Sequence, residues 1–177
     1  MPTSATPDRR GRQVEPDIVR LLAERKQTVA LAESCTGGFI ANQITNAPGA
    51  SAVFPGGVVA YSNAAKREFL GVRAGTLARH GAVSEAVARE MAGGARKKFG
   101  ADFAIAVTGI AGPGGGTKRK PVGTVFIALA GEGEMVVERK WNPFGRKKFK
   151  QATAHQALKL LQSRLTQTER TRNALCS

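Results

Sequence analysis

Ser34 and Cys35 stand side by side in Ala32-Glu33-Ser34-Cys35-Thr36-Gly37-Gly38, between the apolar run Val29–Ala32 and the helix-like stretch Phe39–Ile44. A hydrolase holds its nucleophile at such a strand-to-helix turn. The N–H groups at a helix start are unpaired and partly positive, so they receive an oxyanion or a phosphate. A serine is an ordinary alcohol until something takes its proton. His80 and His155 stand alone in the sequence, which leaves the Ser-His-Asp solution poorly supported and turns attention to lysine and tyrosine. The segment Tyr61-Ser62-Asn63-Ala64-Ala65-Lys66 offers both. A lysine desolvated near other positive groups acquires a depressed pKa and works as a base. Composition alone reads Lys66 as a surface lysine and Tyr61 as an aromatic covering a strand end. Cys35 competes for the nucleophile's role, since a helix N-terminus lowers a thiol's pKa, and spacing leaves that choice open. Thr108 closes a third apolar run, within reach of Ser34 or of a substrate. The loop after it, Gly109-Ile110-Ala111-Gly112-Pro113-Gly114-Gly115-Gly116, permits an anion-binding nest of backbone N–H groups. It has neither the Gly-Lys-Ser/Thr ending of a Walker loop nor a dinucleotide fingerprint.

For these residues to meet, strands must deliver them to one edge of a sheet. Val29–Glu33, Val53–Tyr61 and Asp102–Thr108 read as strands, and in a parallel-type sheet their C-terminal ends gather together. Gly56-Gly57 in the second indicates a bulge or a close backbone approach. Helices are expected over Glu15–Gln27, Gly38–Asn46 and from Asn63, as cap, through Lys66 to Leu70, where Gly71 stops the chain. Ser84 is a natural N-cap for Glu85–Phe99, which Gly100 closes. Gly123–Ala130 and Glu134–Trp141 read as a hairpin, and Gly145–Arg164 as the last long helix. The order of elements implies an α/β protein, a three-layer α/β/α sandwich with a mixed, mainly parallel sheet and a C-terminal hairpin.

At 177 residues the chain fits one domain, placed at 15–165 between a flexible basic arm (1–14) and a loose polar tail (166–177). No apolar stretch approaches the roughly 20 residues of a membrane helix, and the N-terminus lacks the apolar core of a secretory signal. A cytoplasmic protein without membrane association is expected. Cys35 and Cys176 make no disulfide framework, and no Cys or His spacing suits zinc; no metal or cofactor is expected. The net charge of +14 is the compositional outlier. Basic runs at residues 9–12, 96–98, 118–120 and 146–150 attract nucleic acid, anionic membrane or phosphorylated metabolites alike. With no helix-turn-helix or aromatic RNA-binding strand beside them, they read first as solvated surface. Nucleic-acid binding would show as a steep salt dependence.

Four segments together resemble the C-terminal domain of the CinA family: Ala32–Gly38, Gly56-Gly57-Val58-Val59-Ala60-Tyr61-Ser62-Asn63, Gly81-Ala82-Val83-Ser84 and Ala106-Val107-Thr108-Gly109-Ile110-Ala111-Gly112-Pro113. The likeness covers roughly residues 15–165 in the family's motif order. Stand-alone members include nicotinamide-nucleotide amidases. The resemblance therefore implies hydrolysis of the carboxamide of nicotinamide mononucleotide to nicotinic acid mononucleotide and ammonia, in pyridine-nucleotide recycling. It implies Ser34 as nucleophile, Lys66 and Tyr61 as proton carriers and Thr108 as a helper in the site. Backbone donors near Thr36, Gly37 and Gly38, with Asn63, Gly109, Gly112 and Arg146, would bind the substrate, its phosphate lying on the Gly109–Gly116 loop or near Arg146. A homodimer is the family expectation. The molybdenum-cofactor-binding-like domain of the larger family proteins, linked to pyrophosphatase activity, finds no room in this length. The rival reading is a non-catalytic nucleotide- or protein-binding module of the competence/damage-inducible kind.

Overall fold

A computed structural model describes residues 14–175; the rest of the basic arm and Cys176 lie outside the described residues. The order is α1 (Val14–Glu24), β1 (Val29–Glu33), α2 (Phe39–Thr45), a 3-10 turn (Ala50–Ala52), β2 (Gly56–Val59), α3 (Asn63–Leu70), α4 (Ala74–His80), α5 (Glu85–Phe99), β3 (Phe103–Gly109), β4 (Thr124–Gly131), β5 (Glu134–Trp141) and α6 (Arg146–Leu175). The sheet order is β2-β1-β3-β4-β5. β1 pairs parallel with both β2 and β3, while β4 is antiparallel to β3 and to β5. Four strands thus run one way and β4 returns between them, the mixed sandwich expected.

Alternation along the central strands sorts side chains by size. Val29, Leu31, Ile105 and Val107 face one apolar cluster with Ile18, Leu22, Ile40, Ile44, Phe149 and Leu158, from α1, α2 and α6. Ala30, Ala32, Ala104 and Ala106 face the other, against Val87, Ala88, Met91, Ala92 and Ala95 of α5. A small-residue face lets α5 lie close to the sheet, and α3 then lies close to α5. A Cβ at Gly94 would stand 1.9 Å from the Leu70 carbonyl oxygen. That contact brings α3, with Lys66, over the ends of the strands.

Several boundaries differ from the sequence reading for identifiable reasons. α1 stops at Glu24 because Lys26 adopts φ 55. β2 is shorter, since the 3-10 turn and Pro55 take the residues before it. Gly57 marks a close approach: a Cβ there would meet Leu31 Cβ at 2.9 Å. Ser62, not Asn63, caps α3, its hydroxyl accepting from Ala65 N–H at 3.0 Å. α4 was not foreseen; it has no side-chain cap, and Glu90 of α5 holds it by accepting from Arg73 and Thr76. The final helix runs past Arg164 to Leu175, through the segment expected to be a loose tail. No Gly or Pro interrupts that stretch.

Candidate active site

The strand exits do converge. Ser34 N–H donates to Val107 O at 3.1 Å, and Ala60 N–H donates to Glu33 O at 2.8 Å. The ladders on both sides of β1 therefore continue to its end and to Ser34. Ser34 is buried, and so is Lys66, only 1% exposed although it lies on a helix. Lys66 Nζ lies 3.0 Å from Ser34 Oγ, 2.8 Å from Ala60 O and 3.4 Å from Tyr61 O. Burial lowers its pKa from the ordinary 10.5, since an ammonium loses solvation there. A neutral amine has two N–H groups and one lone pair. As an ammonium Nζ donates to all three oxygens; a neutral Lys66 donating to the two carbonyls would keep its lone pair for the Ser34 O–H. The surface-lysine alternative fails on this geometry.

Cys35 does not share that arrangement. Burial pushes its thiol up to about 12, a neighbouring effect of Glu33 adds to this, and its own N–H and the charges of Lys66 and Lys150 only partly oppose it. A thiol held protonated is a weak nucleophile, which counts against Cys35 in the choice left open by spacing.

The backbone donors are distributed differently from the expectation. Glu33, buried at the end of β1, accepts N–H bonds from Gly38 (2.9 Å), Ile40 (3.1 Å) and Ala41 (2.8 Å). Its carboxylate occupies the start of α2, which has no other side-chain cap. Gly37 N–H donates to Ser34 O at 3.1 Å. Neither Gly37 nor Gly38 therefore has an N–H to offer an oxyanion, and the donors left at this turn are Cys35 N–H and Thr36 N–H. Thr36 is fully buried with its hydroxyl unpartnered. Glu33 escaped sequence reasoning, though an acid just ahead of a helix start is a capping signal.

Tyr61 stands at the mouth, 58% exposed. Its hydroxyl accepts from Arg146 at 2.5 Å, and Arg146 also donates to Gly112 O at 3.1 Å. Arg146 thus ties the exit of β2 to the loop after β3. Thr108, fully buried, donates its hydroxyl proton to Ala82 O at 2.9 Å. It secures the 81–84 segment rather than bonding Ser34. Asn63 is exposed on the first turn of α3. Gly109 pairs with Val125 as the end of β3, and a Cβ there would crowd Thr124 O, Val125 and Phe149, so close packing accounts for its lack of a side chain. Gly112, at φ 76, turns the chain into the exposed residues 113–119. Lys150, missed in the sequence, reaches this site from α6: a Cβ at Gly37 would lie 3.6 Å from its Nζ. Among the described residues, no group of three or more His, Cys, Asp or Glu is placed to hold a metal ion, and no helix is long and apolar enough to cross a membrane.

Comparison with known proteins places this geometry in company. A profile of the CinA C-terminal domain matches residues 11–165. A CinA-like protein of Mycobacterium marinum is 49% identical over 158 residues, 89% of this chain and 37% of that protein. A CinA-like protein of Thermotoga maritima is 57% identical over 117 residues, 66% of this chain and 29% of that one. The chain thus spans well under half the length of these curated relatives. Two solved structures are close to its own size. A CinA superfamily protein of Klebsiella pneumoniae superposes with TM-score 0.84 at 37% identity, covering 87% of this chain and 96% of that one. The competence/damage inducible protein CihA of Agrobacterium tumefaciens gives 0.79 at 40% identity, covering 93% and 99%.

Proposed function

The chain belongs to the CinA C-terminal domain family, and we propose that it is a serine amidase. In this reading it hydrolyses the carboxamide of nicotinamide mononucleotide to nicotinic acid mononucleotide and ammonia, in cytoplasmic pyridine-nucleotide recycling. The observation that carries the reaction class is the 3.0 Å contact between Ser34 Oγ and the buried Lys66 Nζ. The choice of a pyridine mononucleotide rests on the family resemblance and on the cationic mouth formed by Arg146 and Lys150.

Neutral Lys66 takes the Ser34 proton as Oγ attacks the carboxamide carbon, with its two N–H groups anchored on Ala60 O and Tyr61 O. The tetrahedral oxyanion forms next to Cys35 N–H and Thr36 N–H, and each such donor is worth on the order of 100-fold in turnover. Collapse of the intermediate breaks the C–N bond. The Lys66 ammonium returns the proton to the departing nitrogen, so ammonia leaves and an ester remains on Ser34. Water then attacks the ester, giving its proton to Lys66, and Ser34 is regenerated as the carboxylate product forms. Tyr61 Oη accepts from Arg146, which leaves the phenol's own proton for a second relay at the mouth. Glu33, by holding the start of α2, keeps the turn in one shape through both halves of the cycle.

Ammonia release from nicotinamide mononucleotide by wild type and Ser34→Ala, with chelator present, tests this reading. Activity that needs Ser34 and ignores the chelator is expected. Folded wild type that binds the nucleotide but releases no ammonia contradicts it and favours the binding-module reading.

A further inference from the structure

Lys150 is a cation near Ser34 that carries no proton in the chemistry above. It lies on the first turns of α6, and its Nζ stands at ordinary contact distance, 3.6 Å, from where a Gly37 side chain would begin. Its charge is felt at Cys35, next to Ser34. Among the described residues it has neither a hydrogen bond nor an ion pair. The nearby acid, Glu33, is buried and already accepts three backbone N–H bonds.

The helix is set so that this charge faces Gly37. Phe149 is fully buried against Gly109 at the end of β3, which fixes the rotation of the first turn. At about 100° per residue, Arg146 and Lys150 fall on one side of that anchor, one turn apart. Arg146 is committed to Tyr61 and Gly112, whereas Lys150 is not. The reaction has two negative centres. The transient one, at the attacked carbonyl, is served by Cys35 and Thr36 N–H. The permanent one, the phosphate, is separated from it by a ring and a ribose in the substrate, and Gly37, beside Lys150, is exposed to solvent.

Resting on the amidase reading, we propose that Lys150 receives the phosphate of the mononucleotide substrate, with Arg146 as its neighbour, so that selection for a phosphorylated substrate is made by α6 and not by the start of α2 or by the glycine-rich loop. The absence of a side chain at Gly37 leaves the ammonium open to that ligand. An ammonium acts here as a point charge, so arginine retains most of the effect.

The test compares wild type, Lys150→Gln and Lys150→Arg, each checked for an unchanged thermal midpoint, with nicotinamide mononucleotide and nicotinamide riboside as substrates. A parallel arm measures binding of ribose 5-phosphate by calorimetry. The expected result for Lys150→Gln is a KM for the mononucleotide raised about tenfold or more with kcat within about twofold, in line with loss of one charge-assisted contact. Activity on the riboside should be unchanged, ribose 5-phosphate binding should weaken in parallel, and Lys150→Arg should restore both. Equal losses on both substrates, or ribose 5-phosphate binding unaltered in Lys150→Gln, overturns the proposal. The two readings fail separately. Wild type that binds ribose 5-phosphate through Lys150 but releases no ammonia sinks the amidase alone, and Lys150→Gln with normal KM sinks the phosphate site alone.

Discussion

Two glycine-rich turns leave the same edge of the sheet, and they are built on opposite plans. In the turn at 34–38 residues 34–36 are buried, the Gly37 and Gly38 N–H groups are committed to Ser34 O and to Glu33, and Ser34 Oγ lies 3.0 Å from a lysine inside the core. The loop at 110–121 is mostly exposed and held along its edges, among other bonds by Ile110 N–H to Thr124 O, Gly123 N–H to Ile110 O, Lys120 Nζ to His80 O, Arg139 to Arg119 O, and Arg146 to Gly112 O. Glycine serves backbone geometry in both. In the first, the geometry fixes reacting atoms that must stay within hydrogen-bond reach. In the second, it shapes a rim that holds Arg146 at Gly112 O. Damage to the first should therefore appear in kcat, and damage to the second in KM.

The largest effect belongs to Lys66→Met, which keeps the bulk and removes the base: kcat should fall about 1,000-fold. The pH profile sharpens the point. Because the Lys66 pKa is lowered from 10.5, wild-type activity should rise with pH along a limb lying below that value, as the ammonium gives up its proton. Unfolded chain keeps that proton up to about 10.5 while folded chain releases it earlier, so stability should also rise with pH across the window between the two values. Both slopes should vanish in Lys66→Met. A limb that survives the substitution belongs to another group.

Glu33→Gln comes next. The shape is kept, but an acceptor of three N–H bonds is replaced by a weaker one, and kcat should drop by about tenfold or more with about 1.5–3 kcal/mol of stability lost. Thermal melting beside kinetics separates the two losses. Arg146→Ala should break the rim instead: KM should rise about tenfold with kcat reduced far less, since the Ser34–Lys66 pair is untouched. A collapse of kcat there would erase the distinction between the two turns. Cys35→Ala should be the mildest, with kcat within about twofold, because a thiol pushed up to about 12 does no nucleophilic work at neutral pH.

Much of the frame was legible in the sequence. The buried run Val29–Glu33, the span Glu85–Phe99 between Ser84 and Gly100, and Glu134–Trp141 all stand where periodicity and caps placed them, because each is bounded by residues with strong local preferences. The family motifs pointed to Ser34 and Lys66, which the fold brings to 3.0 Å with Lys66 buried. What stayed hidden depends on reach across the fold. Glu33 acts on N–H groups five to eight residues away, Glu90 holds a helix that has no side-chain cap of its own, and Lys150 meets Gly37 only because Phe149 orients α6. The donors of Gly37 and Gly38 were misassigned for the same reason: glycine announces a permissive backbone and says nothing of where its N–H is already spent.

Covalent labelling tests the Ser34–Lys66 pair most directly, with no assumption about substrate. Wild type and Lys66→Met are treated with a serine-directed phosphonofluoridate across a pH series, and the adduct is located by peptide mass. The account expects one adduct, on Ser34, formed faster as pH rises, and slowed about 100-fold in Lys66→Met. An adduct on Cys35, or labelling of Ser34 at the wild-type rate without Lys66, would contradict it.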